Sequence, residues 1–327
     1  MSSSRKTIFV AIGANLGIAA AKIVGFVVTG SSAMLSEAIH SVVDCGNGAL
    51  LLFGQRQGSR PADEVHPFGH GKELYFWTLI VALLIFVLGG GISIVEGIAH
   101  VRHPAPSEDA TWAYAILGVS ILFESYSLYV SVKEFREASG NRPLLEAIKA
   151  SKDPSIFTVI FEDTAAILGL LTAFIGIFLS HTFGWQQADG IASIIIGLLL
   201  IVVAVLLIAK CKTLLVGEGA DTATLRRIRL LAQADPDVEK VGYPFTMYFG
   251  PHAILLTMNL QFRPGLTAQH IEQAVHRIET AVQAENPDIR HIYLEVGSIQ
   301  SAAIRDQLFQ SSQQPMFNTP GDTEPET

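Results

Sequence analysis

The chain has 327 residues, 50% of them hydrophobic and only 16% charged, against roughly 25% charged in soluble globular proteins, and its mean hydropathy is +0.40. That balance excludes an ordinary soluble enzyme, because the apolar residues arrive in long runs and outnumber the charges that could cover them. A net charge of −8 argues against a nucleic-acid partner, whose footprint would be basic. Cys45 and Cys211 lie far apart with no CxxC or Cys/His spacing, so neither a disulfide framework nor a thiolate zinc site is expected.

A bilayer core about 30 Å thick needs roughly 20 apolar helical residues. Six segments meet that need: Ile8 to Val28, Ala33 to Phe53, Leu74 to Val95, Thr111 to Val132, Ser155 to Leu179 and Ile191 to Ala209. The first lacks the cleavage pattern of a signal peptide and runs into the second through the short turn Thr29-Gly30-Ser31-Ser32, so it is predicted as a permanent span. Six spans put both termini on one side. Arg5, Lys6, Arg56, Arg60, Lys72, Lys133, Arg136, Arg142, Lys149, Lys152, Lys210 and Lys212 fall on that side, against Arg102 alone in the short loops opposite. The positive-inside rule then makes the termini cytoplasmic. Gly89-Gly90-Gly91 in span three predicts close helix contact.

Beyond Lys212 the composition becomes soluble. Asp221 to Ala234 and Thr267 to Ala284 read as amphipathic helices, and Val241 to Phe249, Ala253 to Phe262 and Ile289 to Val296 read as strands. The expectation is an all-α six-helix transmembrane domain over residues 1–212, a small α+β domain in the order αββαβ over 213–300, and a disordered tail over 301–327. About 90 residues make a marginal domain alone, which favours a partner copy.

An ionisable group inside a span costs on the order of 3 kcal/mol on insertion scales, so each one needs a reason. In span two, Glu37, His40 and Asp44 lie on one helical face, which Asn47 continues. The stripe reads either as an interhelical hydrogen-bond network or as a chelating face, since an imidazole and a carboxylate four residues apart can hold a borderline cation such as Zn²⁺. Span five supplies Glu162 and Asp163. These neighbours diverge by about 100° around the helix, so one is expected to coordinate while the other assists or pairs elsewhere. Lys22, alone in span one, is a partner for these acids or a snorkelling cation. Asn15 reaches toward the site or packs the helix. Glu96, His100, His103 and Glu124 are read as interfacial residues in preference to an exit path, and Asp189 as an acid at the N-terminus of its own helix.

The loop between spans two and three offers Asp63, His66 and His70 within eight residues, with Gly69 and Gly71 letting the backbone fold around a cation. The run Gly30-Ser-Ser-Ala-Met-Leu-Ser-Glu-Ala-Ile-His-Ser-Val-Val-Asp44, the segment His66-Pro-Phe-Gly-His-Gly-Lys72 and the run Ala188-Asp-Gly-Ile-Ala-Ser-Ile-Ile-Ile-Gly197 together resemble the cation diffusion facilitator family of metal/proton antiporters. The likeness covers about residues 5 to 300. It implies six spans, a cytoplasmic αββαβ domain of ferredoxin or metallochaperone type, and a homodimer.

In that family a tetrahedral transport site draws two residues four apart from each of spans two and five. By position these fall on His40, Asp44, Asp163 and Val159. A valine cannot coordinate, and Glu162, about 60° around the helix from position 159, is the replacement that the resemblance leaves open, beside a site of three protein ligands and a water. The resemblance also implies a second metal site at Asp63, His66 and His70. Positions where metal-binding members carry histidines in the C-terminal domain hold Tyr243, Asn259 and Leu294, with His270 retained. His252, His276 and His291 follow no matching pattern, so dimerisation is the expected role of that domain.

The resemblance implies proton-coupled efflux of a divalent cation, Zn²⁺ first, across a bacterial inner membrane. The bilayer, metal ions, protons and a second copy are the expected partners, and no cofactor or nucleic acid is expected. His40 suits the proton switch because an imidazole titrates near pH 6.5. Three alternatives stand beside it. One is an intramembrane metalloenzyme, which the lack of an HExxH motif disfavours; another is a non-transporting sensor or partner subunit; the last is a carrier of Mn²⁺, Fe²⁺, Co²⁺ or Cd²⁺.

Overall fold

The structure is a computed structural model that describes residues 2–104, 110–139 and 143–297. It comprises two compact units, one of Met1–Glu218 with Phe249–Pro251 and one of Gly219–Tyr248 with His252–Thr327. The expected tail over residues 301–327 lies outside the described residues.

The first unit is helical. Its elements are α1 (Ser2–Thr29), α2 (Ser32–Gly58), α3 (Lys72–Leu84), α4 (Ile92–Arg102), α5 (Thr111–Ser139), α6 (Leu144–Ala150), α7 (Pro154–Phe183) and α8 (Gln187–Val216). A π-helical stretch over Ile85–Gly91 joins α3 to α4 into one apolar rod of 31 residues. Among the described residues, four helices are long and apolar enough to cross a membrane: this rod, Thr111–Glu137, Phe157–Phe183 and Gln187–Val216. Helix α1 contributes a shorter apolar stretch over Asn15–Thr29, and α2 falls short because the polar stripe dilutes it. The chain turns between α1 and α2 at Gly30, whose φ of 64° favours a residue without Cβ, and the Ser31 hydroxyl caps α2 by accepting from the Met34 amide. Asp153 caps α7 in the same way, with Pro154 at its first position.

The core of this unit runs between α7 and α8, where Phe157, Leu170, Ile177, Ile196, Leu200 and Leu207 are almost wholly buried. Val27, Leu122, Ile175, Leu198 and Val202 point outward and stay exposed, the pattern that a lipid solvent allows. The close contact expected at Gly89-Gly90-Gly91 is centred on Gly90 and extends to Gly97. A Cβ at Gly97 would lie 2.7 Å from the Gly190 carbonyl oxygen, and one at Gly197 would lie 2.8 Å from that of Gly90. Four glycines therefore let α4 and α8 approach backbone to backbone. Helix α6 is a short element that the periodicity did not predict.

The second unit contains α9 (Thr222–Gln233), β1 (Val238–Val241), β2 (Phe245–Gly250), β3 (Ala253–Phe262), α10 (Ala268–Glu285) and β4 (Ile289–Val296). Strand β3 is central and bonds to the other three, antiparallel to β1 and parallel to β4. Its alternate residues Ile254, Leu256, Met258 and Leu260 are buried and share one core with Ile228, Ala232, Ile278 and Val282 from the two helices, as a half-covered strand requires. The single strand predicted over Val241 to Phe249 is in fact two. Pro244 has no N–H for a ladder and interrupts the pairing, while the Gly242 amide still donates to the Asn259 carbonyl at 2.8 Å. The order is αβββαβ, one strand more than predicted.

Candidate functional site

Glu37, His40, Asp44 and Asn47 face inward from α2, and Glu37, His40 and Asn47 are buried. The stripe divides into two parts. Glu37 accepts from the Lys22 ammonium, Nζ to Oε2 2.9 Å, with both side chains fully buried. This corrects the expectation that Lys22 meets the span-five acids. Helices α1 and α2 form a tight antiparallel hairpin about Gly30, so residues 22 and 37, nearly equidistant from the turn, lie at one height.

The second part faces α7. His40 Nδ1 lies 3.4 Å from Asp44 Oδ1, and neither ring nitrogen of His40 nor Asp44 Oδ1 has a hydrogen-bond partner among the described residues. Glu162 Oε1 accepts from Asn47 Nδ2 at 2.9 Å, whereas Asp163 Oδ2 accepts from the Ser127 hydroxyl of α5 at 2.8 Å. The neighbouring acids thus point at different helices, as their angular separation demands. A cavity of about 150 Å³ opens between α1, α2, α5 and α7, and Asn15, Asp44, Glu124, Val159, Glu162 and Asp163 line it. His40 sits behind Asp44 and is not in the wall.

Glu124, read from sequence as interfacial, is a wall residue of this cavity. The signal was available: Ser120, Glu124, Ser127 and Ser131 recur at i, i+4, i+7 and i+11 and form a polar stripe along the apolar α5. Val159 occupies the wall as an apolar residue among carboxylates. Chemically the cavity offers carboxylates from three helices, with one imidazole adjacent.

The loop before α3 brings Asp63, His66 and His70 together so that one ligand atom of each lies within 4.8 Å of the others. His70 Nε2 and Asp63 Oδ2 are 2.9 Å apart, and His66 Nδ1 is 3.4 Å from Asp63 Oδ1. The backbone builds this cluster: Asp63 Oδ1 accepts from the amides of Val65 and His66, the His66 carbonyl accepts from Asp63 and Gly69, and Gly69 has a φ of 84°. The His70 hydrogen bond, then the His66 amide, hold the Asp63 carboxyl down at about 2. His70 is buried while His66 is exposed, so the cluster has one fixed wall and one open side.

Asp189 does more than begin its own helix. Its Oδ1 accepts from the Ser31 hydroxyl at 2.6 Å, its Oδ2 from the Ser32 amide at 2.6 Å, and His100 Nε2 lies 3.6 Å away. It satisfies the N-terminus of α2 from α8, a long-range pairing without a local sequence signal.

Helices apolar enough to cross a membrane surround an acid-lined cavity, which is the class of arrangement that a membrane cation transporter presents. The cation efflux transmembrane domain family matches residues 8–216, and the chain belongs to the cation diffusion facilitator family. The proton-coupled zinc antiporter SLC30A9, mitochondrial, of Xenopus laevis is 31% identical over 315 residues, covering 84% of this chain and 56% of that protein. The manganese efflux system protein MneP of Bacillus subtilis (strain 168) is 24% identical over 299 residues, covering 90% and 95%. A solved MamM CTD in a nickel form is 20% identical over 24% of this chain and 98% of its own, with a TM-score of 0.23. The chain spans just over half the length of the SLC30A9 relatives it matches.

Proposed function

We propose that this protein exports divalent cations, Zn²⁺ first, from the cytoplasm in exchange for protons. The observation that carries the reading is that the acids of α2 and α7, Asp44, Glu162 and Asp163, open on one cavity inside the bundle, with His40 beside Asp44. Isolated carboxylates at that depth are expensive, and a bound cation explains three together. Metal loads when these groups are deprotonated, and protons arriving from the opposite side displace it. The printed name of the SLC30A9 relative, a proton-coupled zinc antiporter, supports both the ion and the coupling.

The same reading includes six spans, with α1 and α2 added to the four apolar helices, both termini cytoplasmic, and an inner-membrane location. Residues 213–300 serve as a cytoplasmic dimerisation domain, which the partly exposed Tyr243, Phe245 and Tyr293 support. Asp63, His66 and His70 form a second cation site on the cytoplasmic side, and Glu37, Asn15 and Asn47 are accessory residues. A second ion, Mn²⁺, is favoured by one observation: the cavity wall is carboxylate-rich and His40 lies behind it, which suits a harder cation. The manganese relative accords with that.

The test is metal uptake into proteoliposomes under an imposed pH gradient, with Zn²⁺ and Mn²⁺ in parallel. Gradient-dependent flux that Asp44→Ala abolishes is expected. Absence of flux for either ion from folded protein removes the transport reading.

A further inference from the structure

The geometry points to Glu124 of α5 as a direct metal ligand of the transport cavity, standing in for the donor that Val159 cannot supply; this rests on the transport reading above. Three observations converge on it. Glu124 lines the same cavity as Asp44, Glu162, Asp163 and Val159, so its carboxylate faces the space that a cation would occupy. The acids of α7 are already engaged, Glu162 by Asn47 and Asp163 by Ser127, whereas no hydrogen bond or ion pair among the described residues holds Glu124. The cavity also holds an unsatisfied oxygen: Asp44, in its wall, leaves Oδ1 without a hydrogen-bond partner among the described residues.

Placement explains why α5 contributes. Ser127, one turn beyond Glu124, ties α5 to Asp163, and this fixes the rotation of α5 so that Glu124 falls on the cavity side. A cavity of about 150 Å³ has room for several waters, so a cation there can take carboxylate oxygens from α2, α5 and α7 and complete its shell with water. The donor set is mainly oxygen and drawn from three helices, unlike two pairs facing each other across two helices. Rearrangement of α5 against α2 would then break the site and release the ion.

The experiment measures Zn²⁺ and Mn²⁺ uptake by the full chain in proteoliposomes, for wild type, E124Q, E124D, E124Q/V159D and E124Q/V159H, with D44A as control. Glutamine keeps the size of the side chain and removes its charge. The expected result is a rise in KM for the ion on the order of tenfold or more in E124Q, as loss of a metal-binding group produces, reversed to within about threefold by a donor restored at position 159. An unchanged KM in E124Q overturns the assignment. Flux lost in E124Q that neither E124D nor either replacement of Val159 recovers also overturns it, because Glu124 then acts through packing. If D44A leaves flux intact, the transport reading itself fails, whatever E124Q does.

Discussion

Lys22→Met breaks an ion pair whose two partners are both fully buried, the 2.9 Å contact of Lys22 Nζ with Glu37 Oε2. Methionine keeps the stem volume but withdraws the charge, and Glu37 is left in an apolar interior where its Oε1 already has no hydrogen-bond partner. Removal of one partner from a buried pair costs about 3–5 kcal/mol, whereas replacement of both by apolar or neutral groups of similar volume is often nearly neutral. Lys22→Met should therefore destabilise the detergent-solubilised protein by about 3–5 kcal/mol, and Lys22→Met/Glu37→Gln should recover most of that loss. Unfolding in mixed micelles, followed by tryptophan fluorescence, reads both quantities through a double-mutant cycle. The reasoning is refuted if the single variant costs less than about 1 kcal/mol, the level of an exposed pair, or if the double variant is no more stable than Lys22→Met alone.

Gly97→Leu should cost more than the ~1–3 kcal/mol typical of an overpacked core, because even its Cβ would sit 2.7 Å from the backbone oxygen of Gly190; loss of folded protein on size exclusion would confirm it, and a wild-type yield would not. In the second unit, burial raises the pKa of Asp235, but the bidentate Arg277 guanidinium and the Asp237 amide outweigh it and leave it lowered. That stabilisation is complete above the unfolded value of about 3.9 and disappears as the pH falls through the folded value, so Arg277→Ala should flatten the acid limb of hydrogen-exchange protection in α10. His70→Ala removes the hydrogen bond that holds Asp63 at about 2, and its carboxyl should titrate nearer 3.9 in metal-free protein by ¹³C NMR; an unmoved titration would contradict the assigned cause.

The sequence-based expectations succeed where chemistry is local and fail where it is set by a neighbour. His40 and Asp44 are four apart on one helix, and Asp63, His66 and His70 share one loop, so their proximity was legible from spacing. The helices and the long strands also followed from periodicity. Lys22 could not be matched to Glu37 without the height at which α1 turns into α2, and the pairing of Asp189 with Ser31 and Ser32 crosses more than 150 residues. Glu124 lies on a polar stripe with Ser120, Ser127 and Ser131 that was legible in the sequence, but which helix that stripe faces is settled only by the bond from Ser127 to Asp163. The extra strand arose from Pro244, whose effect on a ladder is local and was legible but outweighed by the hydrophobic alternation around it.

Helix α2 carries a polar inner face that keeps it from the apolarity of the four candidate spans, and among the described residues that face is met by neighbouring helices. Four polar groups at its N-terminus and on its inner face are met by three helices: Glu37 by Lys22 of α1, Asn47 by Glu162 of α7, Ser36 by Ser193 of α8 and the N-terminal amide of Ser32 by Asp189, also of α8. His40 differs, since among the described residues neither of its ring nitrogens has a hydrogen-bond partner, whereas Glu37, Asp44 and Asn47 each leave one buried oxygen without one. In the proposed six-span reading, a helix with so little apolar surface stays in a bilayer because its neighbours satisfy it, and it brings Asp44 to the cavity with His40 beside it. Were the stripe only a packing network, the same fold could have given the His40 ring a partner as it does the carboxylate of Glu37 and the amide of Asn47. An open imidazole beside the Asp44 carboxylate is the arrangement that the proposed cation site would use.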